Sequence, residues 1–221
     1  MILILVLLLS LSIFPANALA NSFTKSWNFD VFYDGENIGE HSFLVSKEKS
    51  KTEISIDASF DIKILFFTAY KYRHTNREVW KGQCLESINA ETNDNGTEFL
   101  VQGERKNTLL EVKNNEALLK LDSCVKTFAY WDQNIVNSNK LLNSQTGKVE
   151  DVVVTSLGVN SIDSVLGKQS ASKYRLQAKT FAIDLWYSAD SEWLALESTT
   201  EDGNVLTYKL SDYQIKGKTN E

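Results

Sequence analysis

From Trp27 onward the chain alternates between apolar and polar positions. Trp27, Phe29, Val31 and Tyr33 share one parity, while Asn28, Asp30 and Asp34 occupy the other. A period of two places successive side chains on opposite faces of a strand. The clearest stretch is 53–62, with Ile54, Ile56, Ala58, Phe60 and Ile62 on one face and Glu53, Ser55, Asp57, Ser59 and Asp61 on the other. One dry and one wet face is the mark of an antiparallel sheet. Extended patterns also run over 37–47, 69–81, 83–92, 97–103, 116–121 and 149–157. A terminal meander follows over 172–178, 180–187, 192–200 and 204–211. Turn signals stand at Asp34-Gly35, Asp94-Asn95-Gly96, Ser188–Ser191 and Asp202-Gly203-Asn204.

Between the two halves, Thr127–Gly147 loses the alternation and reads as one long irregular segment with a single helical turn. No Gly/Ser linker or charge block divides the chain, so residues 21–221 are expected to form one domain. The expected fold is all-β: a single large, strongly curved antiparallel sheet or incomplete β-barrel of about ten or eleven strands.

The first twenty residues hold 16 apolar side chains and no charge. They run through Pro15 to Ala18-Leu19-Ala20, a small-x-small pattern that predicts a signal peptide cleaved after Ala20. No Lys or Arg precedes the apolar run, so the true start codon is expected to lie upstream of Met1 or an uncleaved anchor to remain. The preferred reading is export to the periplasm or beyond, with no transmembrane segment after cleavage. All charges fall in 21–221 and sum to −6, which gives no basic field to gather phosphates and argues against nucleic acid as a partner. Export also bears on Cys84 and Cys124, the two cysteines of the chain. An oxidising compartment favours a structural disulfide over free buried thiols, and their separation is unlike a C-x-x-C redox pair.

The densest chemistry lies on the strand 70–80. Tyr70, Tyr72, His74, Asn76, Glu78 and Trp80 share one face, and Lys71, Arg73 and Arg77 the other, which reads as a solvated outer surface. His74 and Glu78, four residues apart, are separated by ~13 Å along an extended strand, too far to pair directly. His41, Glu78 and His74 are suitable ligand types for zinc, yet no metal-site spacing accompanies them. The simpler reading is a set of hydrogen-bonded polar groups beside an aromatic core. A second cluster, Phe128, Tyr130 and Trp131, opens the irregular segment and either plugs the dry face or borders a pocket. Asp184-Leu185-Trp186-Tyr187 and Trp193–Ser198 read as cross-strand aromatic packing. Hydrolase, zincin, phosphate-loop and calcium-loop motifs are absent, and Asn95-Gly96-Thr97 is a glycosylation sequon on a tight turn. No catalytic residue, metal or cofactor is assigned.

These residues carry a resemblance. Trp27-x-Phe29-x-Val31, the D-G-x-x-I-G-x-H-x-F run from Asp34 and the Y-x-Y-x-H-x-x-x-E-x-W-x-G-x-C-L run from Tyr70 resemble an uncharacterised bacterial exported family, domain of unknown function family 6134. So do T-x-D-N-G, T-F-A-Y-W, L-L-N-x-Q-T-G, D-L-W-Y and W-x-x-L-E-S, in order, so that the likeness spans about Trp27 to Leu210. It implies no activity. Its ending is similar in style to periplasmic half-open barrels, some of which carry lipids or lipoproteins, and such analogy does not establish function.

The leading expectation is a non-enzymatic envelope protein holding a hydrophobic small molecule or lipid. Its candidate contacts are Tyr70, Tyr72, His74, Glu78, Trp80, Phe128, Tyr130 and Trp131. The second is a structural or interaction module with a filled core and an envelope protein as partner. The third is a hydrolase or metal enzyme using His74 and Glu78.

Overall fold

The computed structural model describes residues 22–64, 67–122, 124–200 and 203–218, and the expected signal peptide lies outside them. A first meander runs through β1 (Ser22–Tyr33), β2 (Glu36–Glu48), β3 (Lys51–Ile64), β4 (Phe67–Lys81), β5 (Cys84–Asp94), β6 (Thr97–Lys106), β7 (Leu109–Lys113) and β8 (Leu118–Leu121). An irregular segment follows, carrying a 3-10 turn at Gln133–Asn137 and the short pair β9 (Lys140–Leu142) and β10 (Val149–Asp151). A second meander then runs through β11 (Val153–Ser164), β12 (Gly167–Gln177), β13 (Phe181–Tyr187), β14 (Trp193–Thr200) and β15 (Val205–Lys218).

The last strand returns to pair with the first. Thirteen strands thereby join in the order β11-β12-β13-β14-β15-β1-β2-β3-β4-β5-β6-β7-β8, every neighbour antiparallel. The ends β11 and β8 do not pair with each other, so this is one large antiparallel sheet not closed into a barrel. The all-β expectation holds, and the strand count is corrected upward to fifteen among the described residues. The shortfall has a physical cause. The strand β7 is only five residues long, too short for its alternation to register, and β11 carries Ser and Asn among exposed apolar residues, so it shows no clean dry face.

Local turn chemistry sets the hairpins. Asp34-Gly35 and Asn95-Gly96 are each a consecutive pair with positive φ, the backbone that a two-residue hairpin loop requires. Gly39 has another role. Its φ is +145°, and a Cβ there would sit 1.9 Å from the Ser59 carbonyl oxygen, so only glycine permits the close approach of β2 to β3.

The sheet must curl, because one buried cluster draws on strands far apart in its order. Val101 and Val112 on β6 and β7 share it with Leu176 and Leu185 on β12 and β13. The irregular segment lies inside that curl. Ala129, Ile135, Leu141 and Leu142 are all buried among the strand residues. The segment is tied in by its backbone: the Leu85 N–H donates to the Val125 carbonyl, that of Leu142 to Lys126, and that of Val152 to Asn139. At the far side Asn114 accepts from the N–H groups of Glu116 and Ala117 and donates to the Thr146 carbonyl. One side chain thus closes the β7–β8 turn and clasps the plug. Asn114→Ala is expected to lower stability by about 1–2 kcal/mol, read as a fall in urea midpoint at unchanged slope.

Candidate functional site

The antiparallel register arranges the concave face in rows. One row reads Phe29, His41, Ala58, His74, Thr92 across β1 to β5. The next toward the turn end reads Val31, Gly39, Phe60, Tyr72, Asp94. In the other direction come Trp27, Phe43, Ile56, Asn76, Ala90 and then Val45, Ile54, Glu78, Ile88. The parity expected for the strand 70–80 is therefore the observed one, with His74, Asn76, Glu78 and Trp80 buried and Lys71, Thr75 and Arg77 exposed.

The plug fills this concave face unevenly. At the end carrying the β1–β2 and β5–β6 turns it leaves a cavity of about 580 Å³. Ile38, Phe43, Ile56, Phe60 and Ile62 line it from one side, Ile183, Leu196 and Leu206 from the other, and Phe128 and Tyr130 of the plug from within. This size and apolar lining suit a small hydrophobic molecule. The rim is polar: Tyr70 donates to Asp94 at 2.6 Å, Tyr72 to Gln145 at 3.2 Å and Tyr33 to Asn204 at 3.2 Å, while Gln145 Nε2 donates to the second Asp94 oxygen. Phe60 stacks on Tyr72 with centroids 5.2 Å apart, and Phe128 meets Phe181 at 5.7 Å. Burial, with the Asp94 carboxylate beside it, pushes the Tyr70 phenol above its usual range, and burial does the same to Tyr72 and Tyr130. All three are neutral donors at ordinary pH.

Two histidines stand in the cavity wall. Burial lowers His41 to about 3, with a further contribution from His74, and lowers His74 itself to about 4. Both are uncharged imidazoles near neutrality. His74 Nδ1 pairs with Thr92 Oγ1 at 2.7 Å, whereas neither His41 nitrogen has a partner among the described residues.

The candidate set therefore splits. Tyr70, Tyr72, His74, Phe128 and Tyr130 border the cavity. Glu78, Trp80 and Trp131 do not. Trp80 packs edge-on against Trp131 at 5.6 Å, and Trp131 lines a separate, more polar cleft of about 620 Å³ at the opposite end, with Lys25, Lys47, Thr52 and Asp132. Glu78 joins sheet to plug: it accepts from Asn76 Nδ2 at 2.8 Å, Trp80 Nε1 at 2.7 Å and Thr127 Oγ1 at 3.2 Å. Burial raises its carboxyl above the usual range, against the lowering effect of those three donors. Glu78→Ala leaves three buried donors unpaired and is expected to cost about 3 kcal/mol, while Glu78→Gln, which keeps an acceptor, costs about 1. Urea unfolding of the two variants side by side checks this. Among the described residues no three His, Cys, Asp or Glu groups converge as metal ligands.

Sequence reasoning weighed His41 only as a metal ligand, and it did not single out Tyr33, Gln145, Phe181 or Tyr208. For Phe181 and Tyr208 the available signal was strand parity. Gln145 enters through the path of the plug, which no local pattern encodes.

Residues 29–211 match the family model described as "Domain of unknown function (DUF6134)". The chain belongs to this family. The match covers both histidines, the disulfide, the plug and most of both meanders of this DUF6134 protein. No curated protein sequence matches it. Among solved structures it is similar to the "Beta-barrel-like Protein of Domain of Unknown Function DUF1849 from Brucella abortus", at 8% identity over 89% of this chain and 98% of that one, with a TM-score of 0.67. At that identity the likeness is one of fold.

Proposed function

We propose that this DUF6134 protein is a non-enzymatic, exported envelope protein that holds a hydrophobic, lipid-like molecule in the half-open barrel. The observation that carries this reading is the cavity of about 580 Å³, walled by aromatic and aliphatic side chains and entered through a polar rim. A plug that served only as filler would have covered these side chains too; burying such a surface is favourable at ~25 cal/mol per Å². A ligand supplies that burial instead. The apolar leader and the Cys84–Cys124 disulfide support export, because such a bond persists in oxidising compartments. Among the described residues no helix is long and apolar enough to cross a membrane.

Native mass spectrometry of the purified protein, followed by organic extraction, tests the reading. The expected result is a bound apolar species of defined mass, or saturable uptake of Nile red by protein that emerges empty. Protein that is empty in every preparation and fails to take up Nile red overturns it.

A second reading, an interaction module of the envelope, is favoured by the edge strand β11. Among the described residues it has no strand partner on its outer side, and Val153 and Val159 are each 68% exposed. Unpaired apolar edges are templates for strand addition. A stoichiometric protein partner in pull-downs from envelope extract, lost in Val159→Lys, separates this reading from the first.

A further inference from the structure

The other titratable polar side chains of the cavity wall and rim on β1 and β4 have protein partners: Tyr33 with Asn204, Tyr70 with Asp94, Tyr72 with Gln145 and His74 with Thr92. His41 is different. It borders the cavity, both its ring nitrogens are sealed from bulk water, and neither has a partner. Its ring lies 4.3 Å from Phe43, 5.8 Å from Tyr208 and 6.1 Å from Phe60, measured between centroids, so three aromatic rings surround it. Buried polar groups left without hydrogen bonds are rare in folded proteins, and each calls for a partner. Here His41 and His74 flank Ala58 in one row, and both histidines border the cavity. A half-turn about the Cβ–Cγ bond exchanges nitrogen and carbon positions within one ring outline, so either edge of the ring can offer a nitrogen to the cavity.

The chemistry of the missing partner follows from charge. Neutral imidazole has one N–H donor and one lone-pair acceptor, which a hydroxyl group can answer in either sense. Among the described residues no lysine or arginine lines the cavity, and Asp94 at the rim is the carboxylate found there. An anionic head would be buried without a counter-charge, and a cationic one would lose its hydration among aromatic rings.

We propose that the molecule held in the cavity is uncharged and bears a hydroxyl group, which hydrogen-bonds to His41 while its hydrocarbon body fills the apolar space. This rests on the proposed hydrophobic-ligand function and narrows it to neutral, hydroxyl-bearing lipids, to the exclusion of free fatty-acid anions.

Competition against bound Nile red at pH 7.5 tests it with 1-decanol and decanoate, which share a chain and differ in head group. Decanol is expected to displace the dye at about tenfold lower concentration. In His41→Phe that advantage over decanoate shrinks to within about threefold while Nile red still binds, and in His41→Asn, which retains a donor and an acceptor, it is kept. Decanoate binding as tightly as decanol to the wild-type protein overturns the inference and leaves the hydrophobic-ligand reading standing. So does a His41→Phe variant that binds Nile red and keeps the full decanol advantage. Failure of the wild-type protein to bind Nile red, decanol or decanoate overturns both.

Discussion

Lowering the pH from 7.5 to 5 is expected to reduce the free energy of unfolding by on the order of 4 kcal/mol, through two residues. His41 and His74 are held neutral in the folded protein, with values lowered to about 3 and about 4, and both recover the ordinary value of 6.5 when the chain unfolds. Below 6.5 the unfolded chain takes up protons that the folded one refuses. Their contribution is therefore complete above 6.5 and is lost as the pH falls toward their folded values, at ~1.4 kcal/mol per histidine per pH unit. Glu78 acts in the opposite sense. Its carboxyl is raised by burial, so the penalty for holding it charged near neutrality is relieved as the pH falls through its folded value. The histidines dominate because there are two of them and because the Glu78 shift is opposed by three hydrogen bonds. His41→Phe with His74→Asn should flatten the fall in urea midpoint between pH 7.5 and 5 to less than half. An equally steep fall in the double variant would assign the acid sensitivity to other groups and would mean that the two imidazoles are not held neutral.

Much of this fold is written in the chain at the scale of neighbouring residues. The alternation over 53–62 places Ile54, Ala58 and Phe60 inward, as the structure has them, and Asn95-Gly96 makes the hairpin it predicts. The face shared by Tyr72, His74 and Glu78 also follows from period two alone. What strand parity cannot supply is register. His41 and His74 meet in one row because β2, β3 and β4 align through Ala58, and this alignment depends on hairpin lengths and on the close approach of β2 to β3 that Gly39 allows. The division of the candidate set has the same origin. Trp80 and Tyr72 lie on one face of one strand, yet four rows apart, so the plug covers the first and leaves the second at the cavity. Plugging and pocket-forming stood as alternatives for Phe128, Tyr130 and Trp131. The segment does both, because it is too short to fill the whole length of strands as long as β3 and β4.

Removing the disulfide is expected to cost about 4 kcal/mol and to loosen the cavity wall. Cys84 opens β5 and Cys124 follows the edge strand β8, with Cα atoms 4.8 Å apart and a sequence separation of 40. In the chain-entropy model a closed loop of that length stabilises the fold by about 4 kcal/mol, by restricting the unfolded ensemble. The bond also sits where the plug begins. Directly beyond it, Val125 accepts from the Leu85 N–H, and Phe128 and Tyr130 then turn into the cavity. Without the bond this entrance depends on the Leu85–Val125 and Leu142–Lys126 hydrogen bonds and on Trp80 against Trp131. The variant Cys84→Ala with Cys124→Ala should therefore show two changes, a lower urea midpoint and weaker Nile red binding. Wild-type protein in excess reductant should match it in both. The size of the loss connects the bond to the proposed export: typical domains are stable by only 5–15 kcal/mol, so a reducing compartment would leave this sheet with little margin. A variant with an unchanged midpoint would show that the meander β5–β8 holds the plug unaided, and would remove this support for an oxidising location.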